Sequence, residues 1–212
     1  MSDGKAISTH ETRQRILNAG TELFRRSGYT GTGMKQIAEA AGAPFGSIYH
    51  FFPGGKAQLG EEVIRTSGAV YLGLVTALMT PYEDRVAATA DAFAAAAGTL
   101  AELDFADPCP IATVAMEVAS TNEALRQATS EVFDSWIEYL AAYYAEGGIP
   151  GPAARETASS VVALLEGAFM LGRAARSTEP VRAAGTAAAA IVRAALGAER
   201  TGPGRQDGRP AR

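Results

Sequence analysis

The sequence is poor in cysteine, histidine and tryptophan, and these scarcities argue against several kinds of site. Its 212 residues include one cysteine, two histidines and one tryptophan. A single cysteine, Cys109, cannot form a disulfide framework or a zinc-binding cysteine cluster. The histidines, His10 and His50, are far apart and have no clustered ligand partners, so a metal site has little support. We therefore expect no metal or other cofactor.

Long apolar runs and strand-like alternation are also missing. No stretch approaches the ~20 consecutive apolar residues of a membrane helix, and the polar segment 1–8 lacks the apolar centre of a signal peptide. We find no convincing run of alternating β-branched residues. With 47% hydrophobic and 20% charged residues, the composition is typical of a globular chain. We expect a cytoplasmic protein that does not bind membranes.

Charge is distributed unevenly along the chain, although its total is only −4. Residues 1–60 contain seven basic and four acidic residues, a balance of +3. The balance is −10 over residues 61–199 and +3 over residues 200–212. Such asymmetry is typical of a protein with one part that contacts phosphate and another that does not.

Helical periodicity predicts an all-α fold of about nine helices. In the first helix, Ile16, Gly20, Leu23 and Phe24 form one buried stripe at i, i+4, i+7 and i+8. Asp107 and Cys109 are alternative caps for the helix that follows Pro110. The predicted helices cover residues 11–27, 34–41, 45–52, 56–79, 82–103, 111–119, 122–146, 152–176 and 180–197. We divide the chain into a helix-turn-helix domain (1–55), a helical ligand-binding and dimerisation domain (56–199) and a disordered tail (200–212).

The segment from residue 32 to residue 56 has the length and punctuation of a helix-turn-helix. Two short helices flank a turn of Gly42-Ala43-Pro44, where Pro44 suits a first helical position. Ala38 and Ala41 are small enough to let the helices cross closely, and Ile48 and Phe52 form an i, i+4 docking pair. The opposite face of the second helix, which would be free to enter a groove, carries Phe45, Gly46, Ser47, Tyr49 and His50.

Groups suited to phosphate surround this motif. Thr32, Tyr49 and His50 can donate hydrogen bonds to phosphate oxygens. Lys56 begins a long helix, where its charge and the helix dipole both favour an anion. Lys35 and Gln36 project from the first short helix and are equally compatible with solvent and with DNA.

Residues 13–59 resemble the tetracycline-repressor (TetR) family of bacterial DNA-binding regulators. The resemblance is carried by an arginine-rich first helix and by several short motifs. Those motifs are Gly28-Tyr29, Ile37-Ala38, Ala41-Gly42, Gly46-Ser47-Ile48-Tyr49, Phe52 and Lys56. The variants Thr32-Gly33-Met34, Ala43-Pro44 and Phe52-Pro53-Gly54-Gly55-Lys56 resemble the LmrA/YxaF-type subgroup, as does Cys109-Pro110-Ile111-Ala112 downstream.

The resemblance implies that residues 43–47 approach DNA bases and that Thr32, Tyr49, His50 and Lys56 grip the backbone. Phe51 stands where histidine is common, which we interpret as a packing change. Phe45 occupies a position where polar residues are common, so it offers van der Waals contact, for example to a thymine methyl. The DNA-binding residues predicted in full are Thr32, Gly33, Lys35, Gln36, Ala43, Pro44, Phe45, Gly46, Ser47, Tyr49, His50 and Lys56.

The resemblance also implies a small-molecule pocket in the second domain, where aromatic and Met residues are candidates for its lining. At helical spacing such residues are more often core than pocket. Glu117 and Glu166 sit in apolar stretches, and each could instead face solvent or pair with an arginine. For Cys109, an inert thiol is favoured over a redox sensor because no second cysteine can resolve an oxidised form. The ligand candidates are Tyr71, Met116, Glu117, Phe133, Trp136, Tyr139, Glu166, Phe169 and Met170.

The last two helices carry small and apolar faces suited to close packing in a symmetric dimer. Two reading heads could then meet successive major grooves ~34–36 Å apart on a palindromic site. The interface residues predicted are Ala163, Leu164, Gly167, Leu171, Ala187, Ile191, Ala194 and Ala195.

These features together predict a homodimeric repressor that leaves its operator when a small hydrophobic or aromatic effector binds. The helix beginning at Lys56 is the expected link between effector and operator. The subgroup resemblance suggests control of a multidrug or natural-product export gene. An activator or a constitutive DNA binder is an alternative. An α-helical enzyme that binds a small molecule without binding DNA is another, but the sequence offers no nucleophile with a base and no paired carboxylates.

Overall fold

A computed structural model describes residues 9–106 and 109–198, and every regular element in these ranges is an α-helix. This confirms the all-α prediction. The tail 200–212 and the capping candidate Asp107 lie outside the described residues. The helices of the described chain are α1 Thr9–Ser27, α2 Met34–Ala40, α3 Phe45–Phe51, α4 Gly55–Met79, α5 Arg85–Glu102, α6 Pro110–Val118, α7 Glu123–Glu146, α8 Gly151–Ala175 and α9 Glu179–Ala198.

Local caps explain where the observed helix ends differ from the predicted ones. Helix α5 begins at residue 85 rather than 82 because the Asp84 carboxylate accepts hydrogen bonds from the amides of Val86 and Ala87, at 2.8 and 3.1 Å. Cys109 is the N-cap of α6, and its Sγ accepts the Ala112 amide at 3.5 Å. Helix α8 stops at residue 175 because Arg176 adopts a left-handed conformation with φ 48°.

The first of two apolar cores joins α1–α3 to the N-terminal part of α4 and to α6 and α7. Phe24 and Phe52 from the N-terminal helices pack in the same cluster as Val114 of α6 and Leu125 of α7. Burying each such side chain contributes roughly 1.5–3 kcal/mol. Since this core continues well past residue 56, the N-terminal helices pack directly against the second half of the chain. The division at residues 55 and 56 stays a prediction.

The second core lies among α5, α7, α8 and α9. Phe93 and Leu100 of α5 meet Tyr144 of α7, Val161 of α8 and Val181 of α9. Helices α8 and α9 pack against each other, and α9 also covers α5. This arrangement leaves one side of the α8–α9 pair without a helix packed on it among the described residues.

Three helices, α4, α8 and α9, are long and apolar enough by length and composition to cross a membrane. None of the three helices is an uninterrupted apolar run, because polar residues occur within each of them. Their apolar sides face the two cores, while Val70 and Leu74 of α4 and Met170 and Leu171 of α8 are exposed.

Candidate nucleic-acid interface and apolar cavity

The α2–turn–α3 unit is fixed by a buried crossing and a left-handed turn. Ile37, Ala38 and Ile48 are at most 3% exposed, which brings the two helices together as their small and apolar residues predict. Gly42 has φ +57°, a conformation that glycine adopts without a side-chain clash. Pro44 is the N-cap of α3 rather than its first helical residue, and α3 begins at Phe45, where the predicted helix 45–52 begins.

The outer face of α3 presents two neighbouring aromatic rings to solvent. Phe45 is 49% exposed and Tyr49 is 47% exposed, and their ring centroids lie 5.6 Å apart in an edge-on arrangement. Gly46 and His50 are exposed beside them, while Ser47 is half-buried. This face can therefore offer apolar edges, one phenol and one imidazole to a groove.

The residues predicted on α2 have mixed surroundings. The Lys35 side chain is 82% exposed and lies 3.9 Å from Glu39, which leaves its ammonium accessible. Gln36 is also exposed, but its Oε1 accepts the Gly33 amide at 2.7 Å and so closes the first turn of the helix. Gly33 is exposed and Ala43 is half-buried at the edge of the same surface.

Thr32 is the clearest departure from the predicted phosphate contacts. It is 2% exposed, and its hydroxyl donates to the carbonyl of Gly28 at 2.7 Å, with the Leu23 carbonyl at 3.2 Å. The single hydroxyl proton is thus used within the chain. In this structure Thr32 ties the loop before α2 to the end of α1, and its contact with phosphate stays a prediction that would require the hydroxyl to leave these carbonyls.

Lys56 lies in the first turn of α4 but is half-buried. Its Nζ sits 4.4 Å from the centroid of the Tyr29 ring, a cation–π contact. Burial lowers the pKa of Lys56, and the nearby Glu117 carboxylate opposes that change. A role in gripping phosphate stays a proposal that requires the ammonium to leave this ring or to reach past it.

Glu117 does not line the cavity but connects α6 to the end of α1. Its Oε2 accepts the Thr30 backbone amide at 2.7 Å. A Cβ at Gly28 would displace the Glu117 carboxylate from this position, and φ +73° would strain any residue other than glycine there. Sequence reasoning missed this link because the partners are 87 residues apart and no local pattern relates them.

A largely apolar cavity of about 420 Å³ is lined by residues of α4, α5, α7 and α8 and by Cys109. Five of the nine ligand candidates line it: Tyr71, Trp136, Tyr139, Glu166 and Phe169. Most of the remaining lining is aliphatic and was missed, because its spacing is the same as that of ordinary core. Lining residues of this kind include Leu72, Val75, Leu78, Leu100, Leu103, Leu140, Val161, Val162 and Leu165.

Four ligand candidates are outside the cavity lining, and each has a different environment. Met116 and Met170 are 75% and 51% exposed, because they lie on the outer sides of α6 and α8. Phe133 packs in the first core, edge-on to Trp136. Glu117, the fourth, binds the Thr30 amide as described above. None of these four residues lines this cavity, and a ligand contact by any of them stays a prediction.

Most polar groups of the cavity wall are already engaged. Trp136 Nε1 donates to the Gly68 carbonyl at 3.0 Å, and the Tyr144 hydroxyl is 2.9 Å from the hydroxyl of Thr89. Burial raises the pKa of Tyr144 to about 12. Glu166 is the exception, because its buried Oε2 has no hydrogen-bond partner among the described residues.

Glu166 and Cys109 both line the cavity and interact with each other. Burial raises the pKa of Glu166 to about 7, while a hydrogen bond from the Cys109 thiol partly offsets this rise. Burial, followed by the Glu166 charge, raises the pKa of Cys109 well above its usual range. A thiol that stays protonated is a poor nucleophile, which favours the inert interpretation of Cys109 over the redox sensor.

Replacing Glu166 by Gln should raise stability at neutral pH. A carboxyl group whose pKa is higher in the folded state binds more protons there than when unfolded, so the free energy of unfolding falls as pH rises from about 4.5 to about 7. The variant lacks this loss, which amounts to about 3 kcal/mol. Urea unfolding of the unaltered protein and of Glu166→Gln, at pH 5 and pH 8, measures this change in the free energy of unfolding. Glu156→Gln, an exposed change on the same helix, is the control, and equal pH dependence in all three proteins would contradict the assignment.

The predicted interface residues fall into three groups on α8 and α9. Ala163, Leu171, Ala187 and Ala194 are exposed on the outer side. Leu164 and Ala195 are partly buried against the second core and point the other way. Gly167 and Ile191 are half-buried, and nothing lies within 4 Å of the Cβ position of Gly167.

Within residues 9–106 and 109–198, no group of three or more His, Cys, Asp or Glu could hold a metal ion.

Two families match this chain, one over each half. Residues 16–63 match the family described as "Bacterial regulatory proteins, tetR family". Residues 86–187 match "Transcriptional regulator LmrA/YxaF-like, C-terminal domain". The first match spans α2, α3 and the beginning of α4, and the second spans most of the cavity wall.

Curated relatives and solved structures agree with these matches. The transcriptional regulator YxaF of Bacillus subtilis is 30% identical over 174 residues, which covers 82% of this chain and 91% of the relative. LmrA of the same organism is 30% identical over 182 residues, covering 82% and 93%. The TetR regulatory protein of Rhodobacter sphaeroides has the same fold, with a TM-score of 0.76 and 20% identity over 85% of this chain and 98% of its own. This chain therefore belongs to the TetR family of bacterial transcriptional regulators, in its LmrA/YxaF-like branch, and is a DNA-binding regulator rather than an enzyme.

Proposed function

We propose that this regulator is a cytoplasmic homodimeric repressor, released from a palindromic operator when a small hydrophobic or aromatic molecule enters the cavity. The observation that supports it best is a shared wall. Tyr71, Cys109 and Trp136 line the cavity and also pack in the core that holds α1–α3. A molecule that displaces these side chains acts on the packing of the DNA-binding helices.

Helix α6 adds a second connection between the cavity and the operator-binding helices. Its N-cap is Cys109, which lines the cavity, and its last turn carries Glu117, which binds the Thr30 amide. A shift of α6 along its axis would therefore move Glu117 and disturb its hydrogen bond with the Thr30 amide, just after α1. The sequence had suggested α4 as the link, and both helices contact α1. For release to occur, the effector must bind the DNA-free arrangement more tightly than the DNA-bound one.

Operator contact is expected to come from the exposed face of α3, with phosphate contacts around it. The aromatic pair Phe45 and Tyr49 is suited to thymine methyl groups in the major groove. Lys35 and His50 are the exposed basic groups nearest to this face in the sequence, and Lys56 begins the helix that follows it. The net acidity of the rest of the chain would orient this end toward DNA.

Replacing Lys35 by Ala should weaken operator binding and reduce its salt dependence. If Lys35 contacts one phosphate, the slope of log affinity against log salt falls in magnitude by about 1. Fluorescence anisotropy with the DNA upstream of its own gene, at several salt concentrations, measures the slope. Arg182→Ala on α9, also an exposed cation, should leave it unchanged. No salt-dependent binding by the unaltered protein would overturn the operator proposal itself.

Two further measurements separate the alternatives. A constitutive DNA binder would stay on its operator in the presence of every cavity ligand, whereas the proposed regulator dissociates. An activator would increase transcription of a reporter gene in cells, whereas a repressor reduces it.

A further inference from the structure

The described residues that line the cavity include an acidic side chain but no basic one. The lining contains a single acidic residue, Glu166, and includes no Lys, Arg or His among the residues that the structure describes. A carboxylate in such surroundings has no built-in counter-ion. A buried charge without a partner is costly, and a bound cation would relieve that cost.

One acceptor among the lining residues, the carboxylate of Glu166, lacks a full set of hydrogen-bond donors in the described part of the chain. Glu166 Oε2 is buried and unpaired within the described chain, while the Cys109 thiol supplies the one hydrogen bond found for this carboxyl group. The Trp136 N–H is taken by the Gly68 carbonyl. A ligand that carries one donor could therefore be anchored by the Glu166 carboxylate once this side chain turns toward it, with the rest of the ligand against the apolar lining.

The rest of the wall favours positive charge on that ligand. Aromatic rings of Tyr71, Phe93, Trp136, Tyr139 and Phe169 line the same cavity, and the faces of such rings attract cations. An anionic ligand would instead meet the Glu166 carboxylate in a site of low polarity.

We infer that the cavity selects lipophilic monocations, aromatic molecules that carry one protonated amine, and that Glu166 is the residue that pairs with the amine. This inference rests on the proposed ligand-responsive function and specifies its effector class. A cavity of about 420 Å³ holds two or three fused or linked aromatic rings, so the amine can reach Glu166 while the rings fill the aliphatic part.

Proton binding gives this pairing a pH signature. An amine that pairs with Glu166 favours the ionised carboxylate, whose pKa is about 7 in the empty cavity. Affinity for the amine should therefore rise as pH increases from 6 to 8, and affinity for a neutral analogue should not. The other titratable groups of the lining are the Cys109 thiol and the phenols of Tyr71, Tyr139 and Tyr144. Burial raises the pKa of Cys109 and of Tyr144, so neither ionises in this range.

Three probes of one shape test the inference: 4-phenylbenzylamine, 4-phenylbenzyl alcohol and biphenyl-4-carboxylate. Binding can be followed by calorimetry and by the fluorescence of Trp136, the one tryptophan of the chain, which lies in the cavity wall. At pH 8 the amine should bind about tenfold or more tightly than the alcohol, as expected for a hydrogen bond to a charged group. The carboxylate should bind most weakly.

Glu166→Gln should remove the preference for the amine while retaining binding of the alcohol, because the amide oxygen still accepts a hydrogen bond. Glu156→Gln, exposed on the same helix, should retain the preference. Equal affinity for amine and alcohol, an undiminished preference in Glu166→Gln, or binding of no probe would overturn the inference. If the amine binds as expected but does not release operator DNA, the ligand class stands and the proposed regulatory function fails.

Discussion

Replacing Phe52 by Ala is expected to destabilise the protein by about 3–5 kcal/mol and to abolish operator binding, as removal of a large core ring does. Phe52 is 0% exposed and follows α3 directly. The Arg13 guanidinium lies 5.3 Å from the centroid of its ring, and the ring packs in the core shared by α1, α3 and α4. Its removal leaves α3 without the support that orients its outer face.

Phe45→Ala is the matched control, since it removes the same ring from the exposed side of the same motif. Phe45 is 49% exposed, so the free energy of unfolding should change by no more than about 0.5 kcal/mol. Urea unfolding and operator anisotropy on both variants separate the two roles. Phe52→Ala should lose stability and DNA binding, and Phe45→Ala should lose affinity only. A Phe52→Ala protein that unfolds at the wild-type urea midpoint would contradict the packing described for this ring.

Leu171→Asp is expected to convert the proposed dimer to a monomer and to lower operator affinity by about 10²–10⁴-fold, the advantage that two linked binding units provide. Leu171 is 59% exposed on α8, and Ala163 of the same helix and Ala187 of the neighbouring α9 are exposed as well. In a two-fold interface each substitution occurs twice, so two carboxylates would be buried close together.

Val70→Asp provides the control, because Val70 is 58% exposed and is also aliphatic, but lies on α4. Analytical ultracentrifugation should show a dimer for the unaltered protein and for Val70→Asp, and a monomer for Leu171→Asp. If Leu171→Asp remains dimeric while Val70→Asp dissociates, the interface is formed by α4 rather than by α8 and α9.

The parts of the site that depend on local pattern could be predicted from the sequence. The α2–turn–α3 unit could be predicted from its small residues and from Gly42. The short turn between the two helices requires a left-handed conformation, which glycine adopts readily. The exposure of Phe45 and Tyr49 follows from the docking of α3 through Ile48 and Phe52, which leaves these two side chains free. Sequence position also placed Trp136 and Glu166 among the cavity candidates, because a large ring and an acid stand out in apolar helices.

The parts that depend on tertiary packing could not be predicted. Nothing near Thr32 indicates that its hydroxyl would be taken by carbonyls of the preceding loop and helix. Met116 and Phe169 look equivalent in the sequence, yet only the second points into the cavity, since the orientation of each helix about its axis is set by its neighbours. The aliphatic residues that line the cavity follow the same helical periodicity as residues of a filled core. This periodicity is the same whether or not a cavity is present.

The shared core has a practical consequence for anyone who wishes to re-target this regulator to a new operator. A chimera joined at residue 55 would graft a foreign DNA-binding unit onto α6 and α7 surfaces shaped for this one. The contact of Glu117 with Thr30 requires a glycine at position 28, and Val118 and Leu125 complete the apolar core on the same side. A graft that keeps this packing must therefore carry its own α6 surface, or reproduce Gly28 and its surroundings, so the exchangeable unit of this protein is discontinuous in sequence.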